Sequence, residues 1–253
     1  FFFAFGLMKP HLPFACPKSY RDRYANVEFP AISRPKKPAG LSTWHSSDEF
    51  MQYNHAGRDP RKDPGYADEL RRSYAACVTY VDTQIGKIMA RLDELGLSDS
   101  TIVVLWGDHG YHLGEHGVWG KHTLFEESLH APLIIRTPGM SATGSASKAI
   151  VETVDIYPTL GALCGVPLPG TLDGHSLVPQ LENPEAEGRT AIAYSSGNET
   201  IRSERHRLIR HGGKNVSYEL YDHRDQPGET KNIAKENPEI VKQLAAEIDR
   251  RLR

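Results

Sequence analysis

The sequence predicts an α/β fold: a mixed, mostly parallel sheet flanked by helices, followed by a small antiparallel sheet and a closing helix. Three observations carry this reading. Thr101–Trp106 reads TIVVLW, a nearly unbroken apolar run of the kind a strand buried on both faces shows in a parallel sheet. Ahead of it Leu70, Tyr74, Cys77, Val81, Ile85, Ile88, Leu92 and Leu95 recur at helical steps of three or four, so helix, short turn and strand form a crossover unit. Between residues 190 and 221, short alternating runs are split by Gly197 and Gly212-Gly213, which suggests an antiparallel meander.

Taken in order, the chain begins with Phe1-Phe2-Phe3-Ala4-Phe5-Gly6-Leu7-Met8, with no initiator Met and no basic leader region. This run reads as a buried strand already under way, and hence as a fragment whose amino-terminal part is absent. Lys9-Pro10-His11-Leu12-Pro13-Phe14 follows, where two prolines stiffen the backbone around His11. On that segment alone an incidental surface histidine is the favoured reading. Residues 17–64 are polar and Pro-rich, an irregular excursion in which His45 and His55 are expected in solvent.

Asp63-Pro64 supplies an N-cap and a first-turn proline for the long helix, and Gly96 a left-handed stop. Its stripe places Cys77 on the core face as an inert thiol. After Thr101–Trp106 and a Gly-rich loop, Pro132–Ile135 resumes the sheet. A short strand is expected near Ile150, then a helix over 154–164 closed by Gly165, with Pro158 in its first turn. Residues 167–187 read as a domain edge, dividing a main α/β portion (1–188) from a small α+β subdomain (189–253). Asn237-Pro238 opens the last helix, with Ile240, Leu244 and Ile248 facing inward. Asn198 and Asn215 begin glycosylation triplets, which matter only in a secreted eukaryotic protein.

At 253 residues, 39% hydrophobic and 25% charged, the chain can bury a real core. A net charge of −2 gives no case for nucleic acid, and no apolar run reaches the roughly 18 residues of a membrane span. Cys16, Cys77 and Cys164 make neither a disulfide framework nor a CxxC metal pair, so the redox compartment is left open.

The chemistry gathers after Trp106, where one loop holds Asp108, His109, His112, Glu115, His116 and Lys121. Ligands in a Gly-rich loop past a strand's carboxyl end occupy the usual crevice of an α/β sheet. Asp108 offers hard oxygen and His109 nitrogen, a pair suited to a divalent cation whose other ligands come from elsewhere in the fold. A zinc site from His109, His112 and His116 on one helical face ranks well below this, because Gly110, Gly114 and Gly117 oppose a helix. The bland alternatives are Asp108 as a helix cap and His116 as a loop hydrogen-bonder. Lys121 is expected in a solvent-accessible cleft, within reach of an anion at the metal.

The segments KPHLPF (9–14), SYAACVTYVDTQIGKIMARLDELGL (73–97), TIVVLWGDHGYHLGEHGVWGKHTLFEES (101–128), APLII (131–135), VDIYPTL (154–160) and ELYDHRDQPGETKNIA (219–234) resemble the sulfatase family. The resemblance is strongest to its iduronate-2-sulfatase-like branch. It implies the alkaline-phosphatase-like α/β fold and hydrolysis of a sulfate ester, with a sulfated carbohydrate or another small sulfate ester as partner. It also implies a calcium ion held in part by Asp108 and His109. His11 and Lys121 would then be catalytic, contacting the sulfate and stabilising or protonating the leaving oxygen, while Tyr111 and His112 line the substrate pocket. Such enzymes are exported (periplasmic or extracellular) or lysosomal.

One departure is decisive. The family's formylglycine nucleophile arises in a C-x-P-x-R motif, and Cys16-Pro17-Lys18-Ser19-Tyr20-Arg21 misplaces both Pro and Arg; Ser19 and Ser203 fail as well. The formylglycine and the early acidic ligands are therefore expected in the absent amino-terminal part, and this chain alone is expected to be inactive. The alternatives are a phosphodiesterase or phosphonate hydrolase of the same superfamily, or a non-catalytic glycan-binding pseudoenzyme.

Overall fold

Asp63 starts the longest helix of the chain, and its side chain accepts the Tyr66 N–H at 2.9 Å. The computed structural model describes residues 1–38, 49–141, 143–225 and 228–252. His45 and its expected place in solvent lie outside them. The chain divides into two units: Phe1–Lys37, Ser46–Thr101 and Tyr111–Lys121 form one, and Pro38–His45, Ile102–Gly110 and His122–Arg253 the other.

In the first unit, helix α1 (Lys18–Asp22) lies against helix α2 (Pro64–Glu94), joined by Arg21–Glu69 at 2.8 Å and by the Tyr24 and Thr79 hydroxyls at 2.6 Å. Gly96 takes φ +66 beyond α2, and the Leu97 N–H folds back to the Leu92 carbonyl at 3.1 Å, as the sequence predicts. The amino-terminal half of α2 is the buried half. Tyr66, Ala67 and Leu70 join Leu12, Phe50 and Trp119 in one core cluster, with Phe14, Tyr111 and Leu113 packed against it. Further along the stripe Val81, Ile85, Ile88 and Leu92 are only half-buried. A two-residue hairpin, β2 (His112–Leu113) with β3 (Trp119–Gly120), places Trp119 in that cluster.

The second unit holds strand β1 (Val103–Trp106) paired with β4 (Leu133–Arg136). Helix α3 (Glu126–Leu129) lies between them in sequence, and α4 (Ile156–Cys164) and α5 (Val178–Glu182) follow. Strands β5 (Ala191–Ser195), β6 (Asn198–Arg202), β7 (His206–His211) and β8 (Ser217–Asp222) form the expected meander, in spatial order β5-β6-β7-β8. Helix α6 (Pro238–Arg251) covers one face, burying Leu244 and Ile248 against Ile201, Leu208 and Leu220. On the other face Ile209 and Tyr221 meet Leu124 and Phe125, the residues just ahead of α3.

The expectation of a mostly parallel sheet is overturned: among the described residues all three sheets are antiparallel. An apolar run specifies a strand, but its direction relative to a neighbour depends on which segment pairs with it. Here β1 pairs with the returning β4, from Val103↔Arg136 to Trp106↔Leu133. The pair is not enclosed either, since Trp106 is 51% and Ile134 59% exposed. Phe1–Met8, expected as a neighbouring strand, forms none, and Phe1 and Phe2 are largely exposed. Ile150 also lies outside any strand, its carbonyl accepting the Arg189 N–H at 3.2 Å. Among the described residues no helix is long and apolar enough to cross a membrane.

Candidate metal and anion site

The Gly107 N–H donates to the Pro132 carbonyl at 2.9 Å, carrying the β1–β4 ladder one step further before the chain leaves it. Asp108 then stands in the open, its side chain 82% exposed, with Oδ2 3.5 Å from His109 Nε2. Oδ1 accepts the His109 backbone N–H at 3.1 Å. On the far side of the ring Nδ1 lies 2.7 Å from the Gly110 carbonyl oxygen. A carbonyl can only accept, so Nδ1 is the donor here, and the neutral ring in this tautomer carries its lone pair on Nε2. Two ligands at right angles, each about 2.3–2.6 Å from one ion, stand roughly 3.3–3.7 Å apart, so the Oδ2–Nε2 spacing fits a shared divalent cation. Two donors do not fill a coordination shell, and Asp108 and His109 belong to no three-ligand group among the described residues.

Gly110 is the hinge of this loop. Its N–H donates to the Ser128 carbonyl at 2.8 Å, and a Cβ there would sit 2.0 Å from the Glu127 carbonyl oxygen. Only glycine lets the loop lie this close to α3.

The first unit holds a different set of candidate residues. Leu12 is buried and holds the proline-rich turn to the core, while His11 itself is exposed. Lys9 Nζ ties the turn by bonding the His11 and Pro13 carbonyls at 3.0 and 2.6 Å. Tyr111 packs edge-on against Phe14 and stacks on Tyr74. Its buried hydroxyl has no hydrogen-bond partner among the described residues, and burial, reinforced by Glu49, raises its pKa. His112 is fully buried, Nδ1 at 3.1 Å from the Glu115 carbonyl. Lys121, expected in a solvent-accessible cleft, has its Nζ 3.3 Å from Glu49 Oε1, and both side chains are largely buried. The turn bearing His11, the strand bearing His112 and the strand before Lys121 thus meet around one apolar cluster.

The helical zinc face is excluded by geometry. Gly114 takes φ 114 and His116 φ 55, which breaks any helix between His112 and His116. Their rings approach to 5.8 Å, and the His116 N–H donates to the Arg34 carbonyl at 2.6 Å.

Glu126, His223 and Glu229 bring ligand atoms within 4.8 Å of one another in the second unit. Arg207 bonds both carboxylates, at 2.5 Å to Glu229, and Arg202 reaches Glu126 at 3.4 Å, so guanidinium groups already take the place a cation would. Burial, the largest single influence, works against ionisation of Glu126 and Glu229, but Arg207 together with Arg202 at Glu126, and with His223 and the Glu126 N–H at Glu229, outweighs it. Both carboxyls lie below their usual range, Glu229 at about 2. Sequence reasoning missed Glu49 and Glu229, because neither has a motif spacing and both partnerships are long-range.

A family model described as "Sulfatase" matches residues 1–166, and one described as "N-sulphoglucosamine sulphohydrolase, C-terminal" matches residues 114–253. Iduronate 2-sulfatase of Homo sapiens is 32% identical over 201 residues, covering 67% of this chain and 36% of the relative. N-acetylglucosamine-6-O-sulfatase of Bacteroides thetaiotaomicron is 35% identical over 195 residues, covering 70% and 35%. The solved phosphonate monoester hydrolase from Silicibacter pomeroyi superposes with a TM-score of 0.80 at 26% identity, covering 95% of this chain and 53% of its own. The chain therefore spans between about a third and a half of the proteins it matches. The iduronate branch is not singled out, since the hexosamine-directed relative matches as well.

Proposed function

The chain belongs to the sulfatase family, and on that premise we propose that it forms part of a metal-dependent hydrolase of sulfate esters on sugars. The observation that carries this is the Asp108–His109 pair, whose Oδ2 and Nε2 stand 3.5 Å apart with the tautomer fixed by Gly110. These two residues would hold part of a divalent cation, calcium by family resemblance. When bound, such a cation would supply positive charge for the sulfate oxygens. By family resemblance Lys121, which pairs with Glu49, would contact the sulfate, and the exposed His11 imidazole would serve the leaving oxygen. Tyr111 and His112 are substrate-lining positions by family resemblance alone. The formylglycine motif has no match within these 253 residues, so the activity is proposed for a protein of which this chain is one part. The division into a catalytic portion (1–188) and a small subdomain (189–253), and an exported or lysosomal setting, belong to the same proposal.

A second reading, hydrolysis of a phosphonate or phosphate ester at the same metal, is favoured by the superposition on the phosphonate monoester hydrolase. One panel separates the two. The whole protein is assayed with a 6-O-sulfated hexosamine, a 2-O-sulfated uronate disaccharide and a phenyl phosphonate monoester, before and after Asp108→Ala. Sulfate turnover at least tenfold above phosphonate turnover, with both abolished by the substitution, supports the first reading. Activity and calcium-dependent thermal stabilisation that survive Asp108→Ala would falsify the site.

A further inference from the structure

Helix α3 has only four residues, too few to persist unaided. Both of its ends are held from outside. At its amino end the Glu126 N–H, which has no partner within the helix, donates to Glu229 Oε2 at 2.9 Å. At its carboxyl end the Ser128 carbonyl accepts the Gly110 N–H at 2.8 Å. The Gly110 carbonyl in turn holds His109 Nδ1 at 2.7 Å. Glu229 is itself fixed by Arg207 at 2.5 Å and by His223 Nε2 at 3.1 Å, and both Arg207 and Glu229 are buried. Glu229 also adopts φ 58, a left-handed backbone that a non-glycine residue takes only when its surroundings impose it.

We infer that Glu229, held by Arg207, is a positioning residue for the metal pair: it anchors α3, α3 anchors Gly110, and Gly110 sets the ring and tautomer of His109. The inference rests on the metal reading above and deepens it. A residue far along the chain, in the small meander subdomain, thereby governs ligand geometry that it never touches. The physical logic is that of outer partners of metal-bound histidines, whose loss costs about 10–100-fold in metal affinity. Here the partner is a backbone carbonyl, so its position depends on whatever holds that backbone.

The test uses the whole protein, titrated calorimetrically with calcium and observed by the 15N shifts of the His109 ring. Glu229→Gln should raise the calcium Kd by about 10–100-fold. Without metal, it should also convert His109 from the single Nδ1-protonated form to a mixture of tautomers. Arg207→Lys, which keeps a cation but loses the two-pronged contact, should act in the same direction and less strongly. Arg189→Lys loosens an ion pair to buried Asp155 elsewhere in the same unit. It should change neither readout, whereas an equal effect would mean general loosening and overturn the inference. So would a folded Glu229→Gln protein with unchanged Kd and tautomer. If the Glu229 and Arg207 variants both fail to fold, hydrogen exchange of the unaltered protein decides. The Glu126 and Gly110 amides should open together with equal free energies, and independent opening overturns the claim. Calcium binding that survives Asp108→Ala counts against the functional reading alone, because the His109 tautomer, read without metal, still decides the positioning.

Discussion

Lys121 Nζ and Glu49 Oε1 stand 3.3 Å apart with 17% and 9% of their side chains exposed, so the cation proposed to meet the substrate is already one half of a largely buried ion pair. Removing a cation from beside a buried carboxylate costs stability as well as chemistry. Lys121→Ala should therefore lower unfolding free energy by about 1–3 kcal/mol in urea titrations, and abolish most turnover. Adding Glu49→Gln should restore much of the stability and none of the turnover. Recovery of both would reduce Lys121 to a structural role.

Gly110→Ala should be far worse than its single methyl suggests. The new Cβ would lie 2.0 Å from the Glu127 carbonyl oxygen, a backbone atom that cannot rotate away. Overpacking of this kind costs about 1–3 kcal/mol. The substitution should also weaken calcium-dependent stabilisation, because the loop carrying His109 must back off from α3. Gly107→Ala is the milder comparison, as its nearest neighbour is the Pro132 ring at 3.1 Å. Thermal melts of both variants with and without calcium give the ordering, and equal losses would refute it.

Acid should act through Glu229. Its carboxyl is held at about 2 in the folded chain, against an unfolded value of about 4.3. A depressed carboxyl stabilises the folded state fully above the unfolded value, and that contribution drains away as pH falls from about 4.3 towards 2. Glu126, shifted in the same direction, adds to the slope. Urea unfolding between pH 6 and pH 2.5 should show a steeper decline in the unaltered chain than in Glu229→Gln, and parallel curves would remove Glu229 from the account.

The local features of this fold were legible because local physics decides them. Asp63-Pro64 and Gly96 bound α2 through capping groups within a few residues. The glycines around His116 exclude a helix through their own backbone angles, and Asn237-Pro238 opens α6. Strand direction was not legible, because the partner of β1 is chosen by the path of the chain back to Leu133 and not by the composition of Val103–Trp106. Of the candidate site, Asp108 and His109 stood out by type and position. Glu49 and Glu229 did not, since a carboxylate in a polar segment looks the same whether it faces water or holds a buried arginine or lysine.

The bond between Glu126 and Glu229 joins points 103 residues apart. During synthesis at about 5–20 residues per second, the α3 segment emerges roughly 5–20 s before the carboxylate that anchors it. On the proposed linkage, Gly110 would until then lack its anchor and the imidazole beside it would be unset. A ribosome that stops short of residue 229 would release a chain with its metal-pair residues present and its loop unset. On the proposed linkage, the setting of the Asp108–His109 pair would be timed by the arrival of the last strands and the turn that follows them.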